Sequence, residues 1–191
     1  MKKLRLILSV LTFAFIAYSN FVIPIGTGTK SFWKNCGLFN YSKDIQQDNK
    51  RISIHEAGHA LVADLLGFKV SKATRKGKND YAGYVEYSYS KSKQKENVMV
   101  NLAGYVAEEL IFGTSCYGVS DDLNKATKAS FKLAGSAGHE FMQQNLDKTR
   151  NLIYNNIDKL QALAETIDKR VTISGKQIHS VIKATGAAVA A

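Results

Sequence analysis

Ile52-Ser53-Ile54-His55-Glu56-Ala57-Gly58-His59-Ala60-Leu61-Val62-Ala63-Asp64-Leu65-Leu66, followed by Gly67, is the stretch on which the reading of this chain turns. Its apolar residues fall almost all round a helix of 3.6 residues per turn, and Gly67 ends the pattern. A helix that is apolar on nearly every side is a buried one, so its few polar side chains need partners. Gly58 is informative in the same way. A mid-helix Gly costs about 1 kcal/mol against Ala. Beside Ala57 and Ala60 it leaves a slim helix that another element approaches closely.

Residues four apart on a helix share a face, so His55 and His59 present their imidazoles to one point. Two imidazoles so placed can each hold zinc at about 2.0–2.1 Å. Glu56 adjoins the first of them, placed to take a proton from a water activated by the metal rather than to bind the metal itself. That is the HExxH arrangement of zinc peptidases. The competing reading, two helix histidines satisfied by other hydrogen bonds, is weaker, because a buried apolar helix is costly ground for three polar side chains. A catalytic zinc needs a third protein ligand and an open position. The other histidines are His139 and His179; the short HExxHxxGxxH spacing would require His at position 65, which is Leu65. A carboxylate is therefore expected, from Glu108, Glu109, Asp121 or Asp122. The last two open a helix, where the dipole favours an ionised acid, although N-capping would use them equally well. Composition does not choose among the four.

Outward from this helix, residues 68–90 carry Lys-rich turns around Gly77 to Asp80 and then the alternating Tyr84-Val85-Glu86-Tyr87-Ser88-Tyr89, which predicts one or two strands. A second helix is expected from Glu96 to Ile111, with Val98, Leu102, Val106 and Leu110 on one face and Gly113 as its stop. Ser120-Asp121-Asp122 is expected to cap a third helix bearing Leu123, Ala126 and Ala134. A fourth should run from Asp147 to Lys169 on the stripe Ile153, Ile157, Leu160, Ala164 and Ile167. Ser174-Gly175-Lys176-Gln177 should start a short last helix, and 184–191 a disordered tail. The fold class is mainly α: a helical domain with a small β-sheet over residues 48–183, preceded by an N-terminal hydrophobic helix.

That hydrophobic segment is Leu6 to Tyr18, preceded by Lys2, Lys3 and Arg5 in the order of a signal peptide, with Ala17-Tyr18-Ser19 as a cleavage site. Extended to Ile25 it reaches about 20 residues, enough to span a bilayer. Residues 1–25 are thus read as signal peptide or membrane anchor, the protein as membrane-anchored or exported, and 26–47 as a linker. The positive-inside rule would put the domain outside the cytosol. Gly26-Thr27-Gly28-Thr29-Lys30-Ser31 only superficially resembles a phosphate loop, because Thr29 stands where Gly must precede the Lys; no ATP site is expected. Across 191 residues the net charge is +10, which favours anionic surroundings. No zinc-finger, RNA-recognition or helix-turn-helix signature accompanies it, so nucleic acid is disfavoured and Lys69 to Lys95 reads as a solvated flank. Cys36 and Cys116 are not in CxxC spacing and are read as unpaired.

Several segments together carry a resemblance: His55-Glu56-Ala57-Gly58-His59-Ala60-Leu61-Val62; Gly83-Tyr84; Leu102-Ala103-Gly104 leading into Ala107-Glu108-Glu109-Leu110-Ile111-Phe112-Gly113; and Gly118-Val119-Ser120-Asp121-Asp122-Leu123 with Ala126-Thr127. In order and spacing they resemble the peptidase half of the FtsH-type membrane-bound, ATP-dependent zinc proteases, over about residues 48–183. The resemblance implies one Zn2+ per chain with Asp122 as third ligand. It implies that Glu108 or Glu109 orients a ligand histidine, and that the strand at Gly83 and Tyr84 lines the cleft and pairs with an extended substrate. It departs from the family in lacking the AAA+ ATPase and a second membrane segment, and in placing Tyr105 where an Arg usually stands. The expected function is endopeptidase cleavage of peptides or unfolded proteins by a metal-activated water. A homo-oligomer or a separate ATPase are the expected protein partners. The competing reading is a non-catalytic, membrane-tethered adaptor of larger ATP-dependent proteases, with zinc as a structural staple.

Overall fold

The structure, a computed structural model, describes residues 45–77, 82–115 and 119–188. The expectations for residues 1–25, for most of the linker and for Cys36 and Cys116 lie outside these residues. Among the described residues no helix is long and apolar enough to cross a membrane.

Helix α1 (Ile45–Leu65) is the centre of the molecule. Ala57, Ala60, Leu61, Val62 and Ala63 are completely buried, as an all-round apolar helix requires. It packs on α2 (Gln94–Phe112), on α5 (Ile157–Arg170) and on the sheet. Gly58 makes the first of these contacts possible. A Cβ there would stand 2.6 Å from the Ala103 carbonyl oxygen and 2.7 Å from Ala107 Cβ. The helix begins at Ile45, inside the stretch read as linker, because Gln46 to Lys50 is polar and offers no apolar period to detect.

The chain leaves α1 at Gly67 (φ +72°) and forms β1 (Val70–Thr74) and β2 (Tyr84–Tyr87). They pair antiparallel, Thr74 opposite Tyr84 and Val70 opposite Tyr87, with an irregularity between Val70 and Lys72. The three-stranded order is β2-β1-β3, leaving β2 at an edge. β3 (Thr172–Ser174) is too short for alternation to reveal it, and the sequence reading has no strand there. A 3-10 turn (Lys91–Lys93) leads into α2, which stops at Gly113 (φ +72°), whose N–H bonds the Glu109 carbonyl at 2.9 Å in a left-handed cap.

Helix α3 (Val119–Ala134) starts one residue before Ser120, so Asp121 and Asp122 lie in its first turn rather than ahead of it as caps. The expected helix from Asp147 to Lys169 is two: α4 (Gly138–Tyr154) and α5. They part at Asn155-Asn156, where the Asn156 side-chain amide donates to the Leu152 carbonyl at 2.9 Å. Asparagine competes with the helical ladder in this way, and an apolar stripe cannot report the break. The last helix, α6 (Gly175–Ala188), opens on a reciprocal cap: the Ser174 N–H donates to Gln177 Oε1 at 2.8 Å, and the Gln177 N–H to Ser174 Oγ at 3.4 Å. It is helical through Ala188, where a tail was expected from 184. The fold is mainly helical with a three-stranded sheet.

Candidate metal centre

α1 supplies two imidazoles one turn apart, and the first turn of α3 supplies a carboxylate opposite them. His55 Nε2 and His59 Nε2 are 3.0 Å apart. Asp122 Oδ2 lies 3.2 Å from the first and 3.0 Å from the second. Ligands held at about 2.0–2.1 Å around a tetrahedral zinc would be separated by about 3.3 Å. The three atoms sit slightly inside that spacing, so the donor set fits the ion with little movement.

The hydrogen bonds behind the rings set their tautomers. The His59 Nδ1–H donates to the Val100 carbonyl at 2.7 Å, and the His55 Nδ1–H to Glu108 Oε1 at 2.7 Å. With both Nδ1 positions carrying the proton, the neutral rings aim two Nε2 lone pairs, and Asp122 a carboxylate oxygen, at one another. Three atoms that can each offer a lone pair converge, and a cation at their centre would satisfy all of them. A proton can partly fill the role. Burial presses the His55 pKa down, but hydrogen bonds to Asp122 and Glu108 and the nearby carboxylate charges outweigh it and raise it to about 10. For Asp122 burial acts upward, and the charge of His59 with the hydrogen bonds from both histidines brings it well below the usual carboxylate range.

Close packing fixes the pair. A Cβ on Gly104 of α2 would come within 2.5 Å of the His55 ring and 2.6 Å of His59 Nε2, so only Gly leaves room for both imidazoles. Glu56, 5% exposed, points toward the start of β2. A Cβ on Gly83 would meet its Oε1 at 2.7 Å and the Thr74 carbonyl at 2.8 Å. Burial raises the Glu56 pKa, with the two histidines opposing and Asp122 and Glu108 reinforcing the shift. A carboxylate poised in this way is suited to accept a proton and return it.

Of the residues singled out in the sequence, His55, His59 and Asp122 are brought together as a possible metal-holding group. Glu56 and Gly83 flank them, and Glu108 backs His55. Glu109 is not brought there: it faces α4 and pairs with Arg150 Nη2 at 2.9 Å. Adjacent helix residues point about 100° apart, so only one of the two acids can face α1. Asp121 pairs with Lys125 at 2.6 Å. The Tyr84 hydroxyl accepts from Lys72 Nζ at 3.0 Å. Three contributors escaped the sequence reading: the Val100 carbonyl, Gly104 as a space-giving residue, and Arg51, whose Nη1 lies 3.1 Å from Glu108 Oε2. Arg51 stands four residues before His55 on the same helix face, a periodicity that could have drawn notice.

Two histidines a helical turn apart with a carboxylate from a second helix form a group that could hold a metal ion, on the spacing of the HExxH class. Within that class, residues 44–138 match the family model of peptidase family M41. The chain is 25% identical over 180 residues to the ATP-dependent zinc metalloprotease FtsH 2 of Symbiobacterium thermophilum, covering 72% of this chain and 31% of that protein. It is 30% identical over 151 residues to the ATP-dependent zinc metalloprotease FtsH of Slackia heliotrinireducens, covering 70% and 19%. To the mouse mitochondrial inner membrane m-AAA protease component AFG3L2 it is 35% identical over 105 residues, covering 50% and 13%. In each case the match spans less than a third of the relative's length. The chain resembles the peptidase domain of FtsH-type ATP-dependent zinc metalloproteases, and these similarities support a metalloprotease.

Proposed function

We propose that this chain is a zinc-dependent endopeptidase that hydrolyses peptide bonds in peptides or unfolded proteins. The observation that carries the reading is the convergence of three potential ligand atoms, His55 Nε2, His59 Nε2 and Asp122 Oδ2, within 3.0–3.2 Å of one another. When bound, zinc supplies Lewis-acid polarisation of the scissile carbonyl and lowers the pKa of water to about 7. His55, His59 and Asp122 would hold it. The Glu56 carboxylate would take the proton from the attacking water and deliver it to the leaving nitrogen, its raised pKa suiting both halves of the transfer. β2 has an unpaired side among the described residues. An extended substrate adding there as a fourth strand would pass Gly83 and Tyr84, whose backbone begins the strand beside Glu56.

Residues 1–25 are read as an anchor or export signal for this domain, and a homo-oligomer or a separate ATPase as its partners. The test is E56Q in the full chain. It should bind zinc as the native protein does and lose about 10²–10⁴-fold in casein cleavage. Native protein with bound zinc but no chelator-sensitive cleavage, co-purifying with a larger ATPase, would favour the adaptor reading instead. Equal cleavage by E56Q would remove Glu56 from the reaction.

A further inference from the structure

Glu108 is completely buried and uses Oε1 on His55. Its Oε2 meets Arg51, one turn before His55 on α1, at 3.1 Å. The same Arg51 nitrogen donates to the Thr114 carbonyl at 3.0 Å, so both Nη1 hydrogens are engaged. The guanidinium carbon lies over the Phe112 ring, 4.3 Å from its centroid. Arg51 is itself mostly shielded, its side chain 15% exposed. One group thus grips three things: the carboxylate that orients His55, the Phe112 ring in the last turn of α2, and the Thr114 carbonyl just beyond that helix.

We infer that Arg51 is a positioning residue of the metal centre, setting His55 through Glu108. The inference rests on the zinc-site reading. A histidine ligand binds best when its far nitrogen donates to a fixed carboxylate, and loss of such outer partners costs about 10–100-fold in metal affinity. A carboxylate with a guanidinium on its second oxygen cannot rotate away from the imidazole without breaking a charge-assisted bond. Lysine would preserve the charge but lacks the delocalised guanidinium that lies over the Phe112 ring while its Nη1 serves both oxygens. The position therefore suits arginine better than lysine.

The measurement is zinc affinity of the full chain by competition with a chromogenic chelator, alongside the visible spectrum of the Co2+-loaded protein, which reports ligand geometry without any turnover. R51M should bind zinc about 10–100-fold more weakly and show an altered Co2+ spectrum. R51K should fall between R51M and the native protein. A merely structural role would lower the melting temperature of metal-free R51M and leave the affinity and spectrum of the folded protein unchanged; that result overturns the inference. Should R51M fail to fold, R51Q, which keeps a donor and drops the charge, is read by the same two measurements and the same criterion. Native protein that takes up neither zinc nor Co2+ would sink the metal-site reading itself, a different outcome from native-like binding by R51M.

Discussion

At the scale of single residues the site depends as much on an absent atom as on the groups that are present. Gly104 holds no charge and makes no polar side-chain contact, yet it sets the distance between the histidine pair and α2. G104A should therefore act on metal binding directly. It is expected to destabilise by about 1–3 kcal/mol through overpacking and to weaken zinc binding as His55 and His59 are pushed aside. G113A is the control. Gly113 has φ +72° and nothing within 4 Å of its would-be Cβ. That substitution should cost about 1–2 kcal/mol of backbone strain and leave zinc affinity alone. Equal zinc affinities in G104A and the native protein would show that the rings have slack the packing does not reveal. Much of the site is legible in the residues themselves, because HExxH encodes its geometry locally. Glu108 and Glu109 were not separable that way: they differ only in helix phase, and phase is fixed by which side of α2 meets α1. Arg51 escaped because an arginine at the start of a helix ordinarily reads as a solvated charge.

At the scale of elements the contact between α2 and α4 has its own chemistry. Tyr105 is half-buried there, one turn from Glu109, which pairs with Arg150. Burial first, and the Glu109 charge second, raise the Tyr105 pKa from 10.0 to about 12, with Arg150 opposing. The sign follows directly. Below pH 10 the folded and unfolded chains both keep the phenol proton, and the interaction contributes fully. Between pH 10 and about 12 the unfolded chain loses it first, so stability falls across that window. The melting temperature of the native protein should drop more steeply from pH 10 to 12 than that of Y105F, and absorbance titration should show a late-ionising component that Y105F reduces by one tyrosine, leaving the raised Tyr87 in place. Parallel curves for the two proteins would refute the assignment. Element boundaries were the least readable part of the fold. A stripe such as Ile153, Ile157, Leu160 records burial on one side, and burial continues across the Asn155-Asn156 break between α4 and α5. β3 has only three residues and takes its strand character from pairing with β1.

At the scale of the whole molecule, one buried helix organises everything else. α1 meets α2, α5 and the sheet, and the site lies where α1, α2 and α3 come together. Its all-round apolar pattern made this central place readable from the sequence, whereas the neighbours it selects depend on contacts distant along the chain. The open side of β2 has a consequence of another kind. An edge unpaired among the described residues, proposed above to take an extended peptide, is equally a template on which two copies of the chain could join side by side. Glu86 is exposed on that strand, and a net charge of +10 keeps copies apart by long-range repulsion. Colloidal behaviour should then follow the range of that repulsion. Light scattering should report dispersed protein near 0.01 M salt, where charges are felt over about 30 Å, and growing self-association near 1 M, where they fade within about 3 Å. Association that weakened with added salt would contradict this view. If it strengthens, the strand proposed to take the substrate also sets the conditions under which the protein stays in solution.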